Sequence, residues 1–237
     1  MRKIIVAIFL VLTFLCSCSD LNNATKLKPD DAYKPKPDDA VKLKPDDAYK
    51  PKPDDAIAHS NRGIAYNNRG QYQRAIEEYN EAIRLKPDLA EVYSNRGIAY
   101  AKLGQHQRAI DDYNEAIRLK PDFAEAYNNK GTAYNRLGQY QHAIDDFNKA
   151  IRLKPKDATL YYNRGIAYDN LGKLQRAIED FNEAIRLKPD DALAYTNRAG
   201  AYFMQGNKKL FCRDVQKACA LGDCKLFEMA KGKQYCR

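Results

Sequence analysis

Residues 90–123 read AEVYSNRGIAYAKLGQHQRAIDDYNEAIRLKPDF, and this 34-residue block recurs along the chain. Near-copies begin at Ala56, Ala124 and Ala158, and a more divergent copy begins at Ala192. A fixed period of about 20 to 50 residues is typical of repeat proteins, in which each unit buries its apolar side against the next unit. The block therefore predicts an array of stacked units.

Two helices fit into each block. Small and aromatic residues recur at spacing i, i+4, i+7 in both halves, which gives each helix one packing stripe. A glycine between the halves permits a turn, and a proline ends the second helix. In residues 90–123 these positions are Tyr93, Gly97, Tyr100, Gly104, Ala109, Tyr113, Ala116 and Pro121. Each block is thus predicted to be a helix-turn-helix unit.

This pattern resembles the tetratricopeptide repeat, whose signature has an aromatic residue, Gly, Tyr, Ala, an aromatic residue, Ala and Pro at these spacings. The other close copies fill the same slots with His59, Gly63, Tyr66, Ala75, Tyr79, Ala82 and Pro87, then with Tyr127, Gly131, Tyr134, Ala143, Phe147, Ala150 and Pro155, and then with Tyr161, Gly165, Tyr168, Ala177, Phe181, Ala184 and Pro189. The fifth copy departs, with Ala199 for Gly, Phe211 for a small residue and Val215 for the aromatic residue. We interpret it as a terminal unit with a different neighbour.

The resemblance implies an all-α fold, a right-handed superhelix or α-solenoid of five helix-turn-helix units with a C-terminal capping helix. The array spans 56–225, with a Cys-containing cap at 226–237. Its units are 56–89, 90–123, 124–157, 158–191 and 192–225.

The N-terminus has the features of an export signal. Arg2 and Lys3 precede the apolar run Ile4–Leu15, which predicts a signal peptide over 1–17. Leu15-Cys16-Ser17-Cys18 resembles a bacterial lipobox, which implies a lipid anchor on Cys18; ordinary cleavage nearby is the alternative. We expect an exported protein of the bacterial cell envelope, lipid-anchored at the outer membrane or cell surface, or alternatively secreted.

A Lys-, Pro- and Asp-rich segment at 18–55 separates the signal from the array. Residues 26–57 form four octads of the type KLKPDDAY, with no apolar periodicity that could form a core. Such a composition predicts a disordered, extended tether. The alternative is neutral duplication of the LKPDDA junction that links the repeats.

Four cysteines follow the fifth copy, and an even number in an exported chain favours disulfides. Cys212 and Cys219 share one predicted helix but lie about 10.5 Å apart along it, too far to pair with each other. A hairpin through Gly222 and Asp223 would bring a short helix, Lys225 to Lys231, back along it. The predicted pairs are Cys219–Cys224 and Cys212–Cys236, with the crossed pairing and a zinc site as alternatives, although close Cys pairs are lacking for zinc.

No catalytic or cofactor site is expected. Adjacent carboxylates recur once per unit, which indicates a solvated helix face, since neighbours on a helix point about 100° apart. His59, His106 and His142 lack a second ligand at a metal spacing. The carboxylate pairs are Glu77 and Glu78, Asp111 and Asp112, Asp145 and Asp146, and Glu179 and Asp180.

The candidate binding residues are a row of asparagines. They follow the first aromatic slot by two residues, on the helix that in the resembled family lines the concave groove: Asn61, Asn95, Asn129, Asn163 and Asn197. A side-chain amide has both a donor and an acceptor, so a row of amides can hold the backbone of an extended peptide. Lys102 and Arg136 occupy another groove row. The alternative is that each Asn bonds only within the array or to water.

A basic row follows the asparagines by one residue: Arg62, Arg96, Lys130, Arg164 and Arg198. Acids alternate with these bases and the formal charge of +9 is spread over the chain, so nucleic-acid binding is not favoured. The carboxylate-clamp slots of the family carry residues such as Ser60, Ile64 and Glu125, so that clamp is not expected.

The sequence therefore predicts a non-enzymatic protein-protein interaction scaffold without a cofactor or metal. As a membrane-anchored lipoprotein it would bind a peptide or protein in its groove during assembly of an envelope or secretion complex. The alternative is a soluble secreted effector that binds a protein of a host or neighbouring cell. Nucleic acid and small-molecule substrates are not expected as partners.

Overall fold

The computed structural model of the chain describes residues 56–236, which contain eleven helices and no strand. The predicted signal peptide, the lipid-anchor site and the tether lie outside these residues. The helices are α1 (Ala56–Asn68), α2 (Tyr72–Leu85), α3 (Ala90–Lys102), α4 (His106–Leu119), α5 (Ala124–Arg136), α6 (Tyr140–Leu153), α7 (Ala158–Asn170), α8 (Leu174–Leu187), α9 (Ala192–Met204), α10 (Lys208–Ala220) and α11 (Lys225–Gly232). The predicted all-α array of five helix pairs with a capping helix is confirmed.

Each repeat is an antiparallel helix pair closed by a glycine turn. The turn residue Gly104 has φ +74, a left-handed conformation that favours glycine, and its counterparts in the other repeats have nearly the same angle. The amide of Gln105 then donates to Tyr100 O at 2.9 Å, which satisfies a carbonyl at the end of α3. The turn thus fixes how α4 folds back on α3.

The core of each repeat is a ring packed on a glycine. Tyr113 is 1% exposed, and its ring lies against Gly97 of the facing helix. The same arrangement joins Gly63 to Tyr79, Gly131 to Phe147 and Gly165 to Phe181. The predicted packing stripes therefore meet at one close approach per repeat.

The fifth repeat solves the same packing problem with different residues. Ala199 and Val215, both fully buried, replace the glycine and the aromatic residue. The added methyl group of Ala199 fits because Val215 is smaller than a ring. The departures at Ala199 and Val215 therefore compensate each other at one contact.

The C-terminal cap is a helical hairpin with two disulfides. Cys212 is joined to Cys236, and Cys219 to Cys224, which is the nested arrangement and not the crossed one. All four sulfur atoms are consumed in these bonds, so none of them is a thiolate ligand for zinc. Helix α11 packs on α10 and ends the array.

Candidate functional site

The first helices of consecutive repeats form one layer. Each helix packs on the next along the chain, and smaller contacts also join α1 to α3, α3 to α5, α5 to α7 and α7 to α9. The face of this layer that carries the asparagine row is here called the groove face. Because equivalent residues repeat at every unit, the groove face presents one side-chain row for each slot.

The five asparagines of the row differ in burial. Asn61 is exposed and Asn95 and Asn197 are half-buried, whereas Asn129 and Asn163 are 6% and 5% exposed. The row is therefore deepest in the third and fourth repeats. This difference was not apparent from the sequence, where all five positions look alike.

A chain of side-chain amides crosses the middle of the groove face. Asn163 Nδ2 donates to Asn128 Oδ1 at 2.9 Å, and Asn128 Nδ2 donates to Asn129 Oδ1 at 3.5 Å. Asn129 Nδ2 is buried and has no hydrogen-bond partner within residues 56–236. The chain thus ends on a donor group that is not satisfied by the protein.

In the fifth repeat the asparagine has an acceptor, and not a donor, without a partner among the described residues. Asn197 Nδ2 donates to the hydroxyl of Tyr162 at 2.9 Å and to Leu193 O at 3.0 Å. Both donor hydrogens of this amide are therefore used, and Asn197 Oδ1 accepts no hydrogen bond from the described residues. Within the described residues, the third asparagine of the row, Asn129, thus has a donor without a partner, and the fifth, Asn197, has an acceptor without one.

The slot of Asn128 and Tyr162 was missed in the sequence analysis. These residues precede Asn129 and Asn163 by one position and receive the hydrogen bond from the next repeat. The slot also carries a polar residue in the second repeat, Ser94, and this recurrence of polar side chains was the available signal. Asn163 and Asn197 thus donate hydrogen bonds within the array.

A second polar row accompanies the asparagines. Asn67 and Asn135 have buried Oδ1 atoms without a partner in the described part of the chain. Asp169 occupies the corresponding slot of the fourth repeat, and burial raises the pKa of its carboxyl to about 6. Burial favours the protonated form of this acid, which is both a donor and an acceptor.

Charged residues stand at the two edges of the groove face. At one edge, Lys102 is half-buried and Arg136 is exposed. Burial, and next the charge of Arg136, lower the pKa of His106, whose Nδ1 is buried without a partner in residues 56–236. Lys102 and Arg136 are the basic side chains in the last turns of their helices at this edge.

Ion pairs neutralise acids at the opposite edge. Glu91 accepts a hydrogen bond from Lys120 Nζ at 3.0 Å, and Glu125 pairs in the same way with Lys154. Burial opposes ionisation of Glu91, but the hydrogen bond from Lys120 outweighs it and lowers the pKa. Neither acid is therefore an unpaired charge in the groove.

The basic row holds the repeats together. Arg96 makes two hydrogen bonds to Asp112, at 2.9 and 2.6 Å, and a third to Asn80 of the preceding repeat at 2.7 Å. Arg164 and Arg198 repeat this clamp with Asp180 and Asn148 and with Asp214 and Asn182, and Lys130 bridges Asp146 and Asn114.

The interpretation of the carboxylate pairs as a solvated face is wrong for the second acid of the three later pairs. Asp112, Asp146 and Asp180 are between 5% and 8% exposed, and each faces the basic residue of its clamp. In the first repeat Glu78 is half-buried; burial opposes its ionisation, but hydrogen bonds from Arg62 and His59 lower its pKa. Only the first acid of each pair, such as Asp111, is exposed.

Residues 56–236 contain neither a metal-binding cluster nor a membrane-spanning helix. No three His, Cys, Asp or Glu residues there are grouped so that they could hold a metal ion. No helix in this range combines the length and hydropathy required to cross a bilayer. The groove face, with the unpartnered buried amide of Asn129, is the candidate site.

Comparison with known families points to one group. Profiles described as tetratricopeptide repeat match residues 90–123, 124–157 and 158–191, and a profile described as TPR repeat matches residues 65–104. Together these matches cover more than half of the chain. No curated protein sequence matches it.

Solved structures share the fold. MamA 41-end from Desulfovibrio magneticus RS-1 is 25% identical with a TM-score of 0.67, over 72% of this chain and 96% of that chain. Another crystal structure of MamA is 29% identical with a TM-score of 0.63, over 72% and 96%. YrrB, described as a TPR protein with an unusual peptide-binding site, is 24% identical with a TM-score of 0.64, over 76% and 93%, and is similar in fold.

Proposed function

The chain belongs to the tetratricopeptide repeat family, and we propose that it is a non-enzymatic scaffold that binds an extended segment of a partner protein on its groove face. The partner lies across the first helices, in contact with the asparagine row. Lys102 and Arg136 flank it at one edge. The second helices and the clamps hold this surface in shape.

The observation that carries the proposal is the unsatisfied amide of Asn129. Leaving a buried donor without a partner costs about 1–3 kcal/mol. If the Asn129 side chain turns outward on binding, Nδ2 can donate to a backbone carbonyl of a bound segment, which would remove that cost. The acceptor at Asn197 Oδ1 complements this, because an extended backbone offers N–H groups as well as carbonyls. Contacts of this kind recognise a main chain without requiring one side-chain sequence.

The charges favour a protein partner over nucleic acid. Phosphate binding needs lysines and arginines that face the ligand. Four members of the basic row are instead held in clamps with Asp112, Asp146, Asp180 and Asp214. These four basic side chains are therefore paired with acids of the array and are not available to phosphate.

Selection from a displayed library of short random peptides tests the groove. The full chain is expected to enrich a pool of peptides, and Asn95→Ala/Asn129→Ala/Asn163→Ala is expected to lose most binding of that pool. Gln107→Ala and Gln141→Ala remove exposed amides of the second helices and serve as controls. Circular dichroism checks that all variants stay helical. Unchanged binding by the triple variant would refute the groove proposal.

The location of the scaffold is a separate proposal. A lipid on Cys18 would hold the array at the outer membrane or cell surface, where it would assist assembly of an envelope or secretion complex. The alternative is a secreted effector that binds a protein of a host or neighbouring cell. Membrane fractionation of the wild type and Cys18→Ala decides between them, because a wild-type protein found wholly in the soluble fraction would exclude the anchor.

A further inference from the structure

Three aromatic rings meet at the C-terminal end of the array. Phe203 of α9, Phe211 of α10 and Tyr235, which follows α11, have ring centroids 5.3, 5.3 and 5.4 Å apart. Such separations are those of favourable aromatic packing. Phe203 and Phe211 are here called the aromatic seat, and Tyr235 is the ring that rests on it.

The aromatic seat continues the groove face. Phe203 occupies the slot of the second polar row, which carries Asn135 in the third repeat and Asp169 in the fourth. An extended segment that follows the row toward the C-terminus therefore arrives at Phe203. The polar groove ends on an apolar surface, and Tyr235 covers it.

Tyr235 is held by its two ring contacts, by a backbone hydrogen bond and by a nearby ammonium group. Its amide donates to Ala230 O at 2.8 Å, and Lys208 Nζ lies 4.8 Å from its ring centroid. Gln234 before it has φ 54, a left-handed conformation that costs free energy for a residue other than glycine. Cys236 after it is bonded to Cys212. The disulfide is the one covalent constraint next to the ring.

We propose that the aromatic seat is a second binding surface for an aromatic side chain, and that Tyr235 covers it only while the Cys212–Cys236 disulfide is intact. The strained turn at Gln234 relaxes once the disulfide opens. Tyr235 then leaves the aromatic seat.

The opening step is a thiol–disulfide exchange with a dithiol. Its thiolate attacks Sγ of Cys212, which is half-buried, whereas Cys236 is 3% exposed. The S–S bond breaks, and Cys236 leaves as a thiolate that takes a proton. The second thiol of the reductant, as its thiolate, then displaces Cys212 from the mixed disulfide. Two protein thiols result, and the dithiol becomes a disulfide.

The contacts of Tyr235 indicate which kind of partner side chain would bind the aromatic seat. Tyr235 packs on two aromatic rings and lies under the ammonium group of Lys208, a geometry that favours an electron-rich ring. A partner segment with Tyr, Trp or Phe would make the same contacts. The opened seat would extend the groove of the proposed function, but the release of Tyr235 does not depend on that function.

Tryptophan fluorescence tests the release. The chain has no Trp, so Tyr235→Trp in the full chain introduces a single reporter. Its emission should move to longer wavelength, and its quenching by acrylamide should increase severalfold, when dithiothreitol is added. Adding Cys212→Ser/Cys236→Ser should give this exposed signal without reductant. Adding Cys219→Ser/Cys224→Ser, the matched control, should leave the oxidised signal unchanged.

The same measurements can overturn the proposal. A reporter that stays shielded after reduction, with thiol titration showing that the disulfide has opened, would mean that packing alone holds the ring. A signal that responds equally to loss of the Cys219–Cys224 bond would mean that the whole cap loosens. Far-ultraviolet circular dichroism verifies that the helices persist in each case.

A labelled peptide of residues 231–237, with Ser in place of Cys236, tests the occupant. It should bind the full chain carrying Tyr235→Ala/Cys212→Ser/Cys236→Ser about tenfold more tightly than a peptide with Ala in place of its Tyr. The oxidised wild type should bind neither. Equal binding of both peptides would contradict the proposal that the aromatic seat binds an aromatic side chain. Failure of the peptide-library selection would instead count against the groove alone.

Discussion

A Cβ atom added to Gly97 would lie 2.7 Å from Cε1 of Tyr113, a distance that real Cβ contacts do not reach. Gly97→Ala therefore forces the ring or the helix to move, and we expect a loss of about 1–3 kcal/mol in the free energy of unfolding. Urea denaturation monitored by circular dichroism measures it.

The fifth repeat supplies the rescue for this variant. There Ala199 faces Val215, so Gly97→Ala/Tyr113→Val should be more stable than the sum of the two single changes predicts. Gly200→Ala is the control, because no atom lies within 4 Å of its added Cβ. Strictly additive effects of Gly97→Ala and Tyr113→Val would contradict the close approach as the cause.

The packing positions were predictable because each repeats with the same partner. A glycine at the slot of Gly97 and an aromatic residue at the slot of Tyr113 recur together in four units, and this periodicity indicates that the two slots are in contact. The clamp was not predictable in this way, since Asp111 and Asp112 have the same chemistry and only the rotation of α4 buries one of them. Sequence spacing alone did not show that Arg96 faces the second acid.

The sequence predicted where the groove asparagines lie, but it did not predict which of their amide groups are already hydrogen-bonded. The asparagine row was found by its period. Whether an amide is already satisfied depends on the residue one position before its counterpart in the preceding repeat, which is Asn128 for Asn163 and Tyr162 for Asn197. That slot varies between repeats, so a row that is uniform in sequence differs from repeat to repeat in which amide atoms lack a hydrogen bond within the array.

Removing one acid of a clamp should destabilise the array. Asp112→Ala leaves the guanidinium of Arg96 largely buried with only Asn80 as an acceptor, since the side chain of Arg96 is 19% exposed. We expect a loss of about 2–4 kcal/mol in the free energy of unfolding. Glu115→Ala breaks the exposed pair with Arg118 on the same helix and should cause no measurable loss. Similar losses in the two variants would contradict the structural role of the clamp.

The buried carboxyl of Asp169 makes stability depend on pH. Its pKa of about 6 in the folded chain lies above the value of about 3.9 expected for an unfolded Asp. Between these values the folded state holds a proton that the unfolded state lacks, so stability falls as pH rises from about 4 to about 6. Asp169→Asn should therefore be more stable than the wild type by about 1–3 kcal/mol at pH 7 and equal to it below pH 4.

The corresponding slot of the third repeat offers the reciprocal test. Asn135→Asp places a carboxyl where a buried amide oxygen lacks a partner. This variant should lose stability relative to the wild type as pH rises through the same range, measured by urea denaturation at each pH. A difference between Asp169→Asn and the wild type that stays constant from pH 4 to pH 7 would show that the carboxyl does not titrate between the two states.

The two disulfides should contribute unequally to stability. Cys212 and Cys236 are 24 residues apart in sequence, whereas Cys219 and Cys224 are 5 apart. A disulfide that closes a longer loop removes more entropy from the unfolded chain, about 3.5 kcal/mol for the first pair and about 2 kcal/mol for the second. Cys212→Ser/Cys236→Ser should thus lower the free energy of unfolding more than Cys219→Ser/Cys224→Ser. The reverse order in urea denaturation would mean that contacts in the folded cap, and not loop closure, dominate its stability.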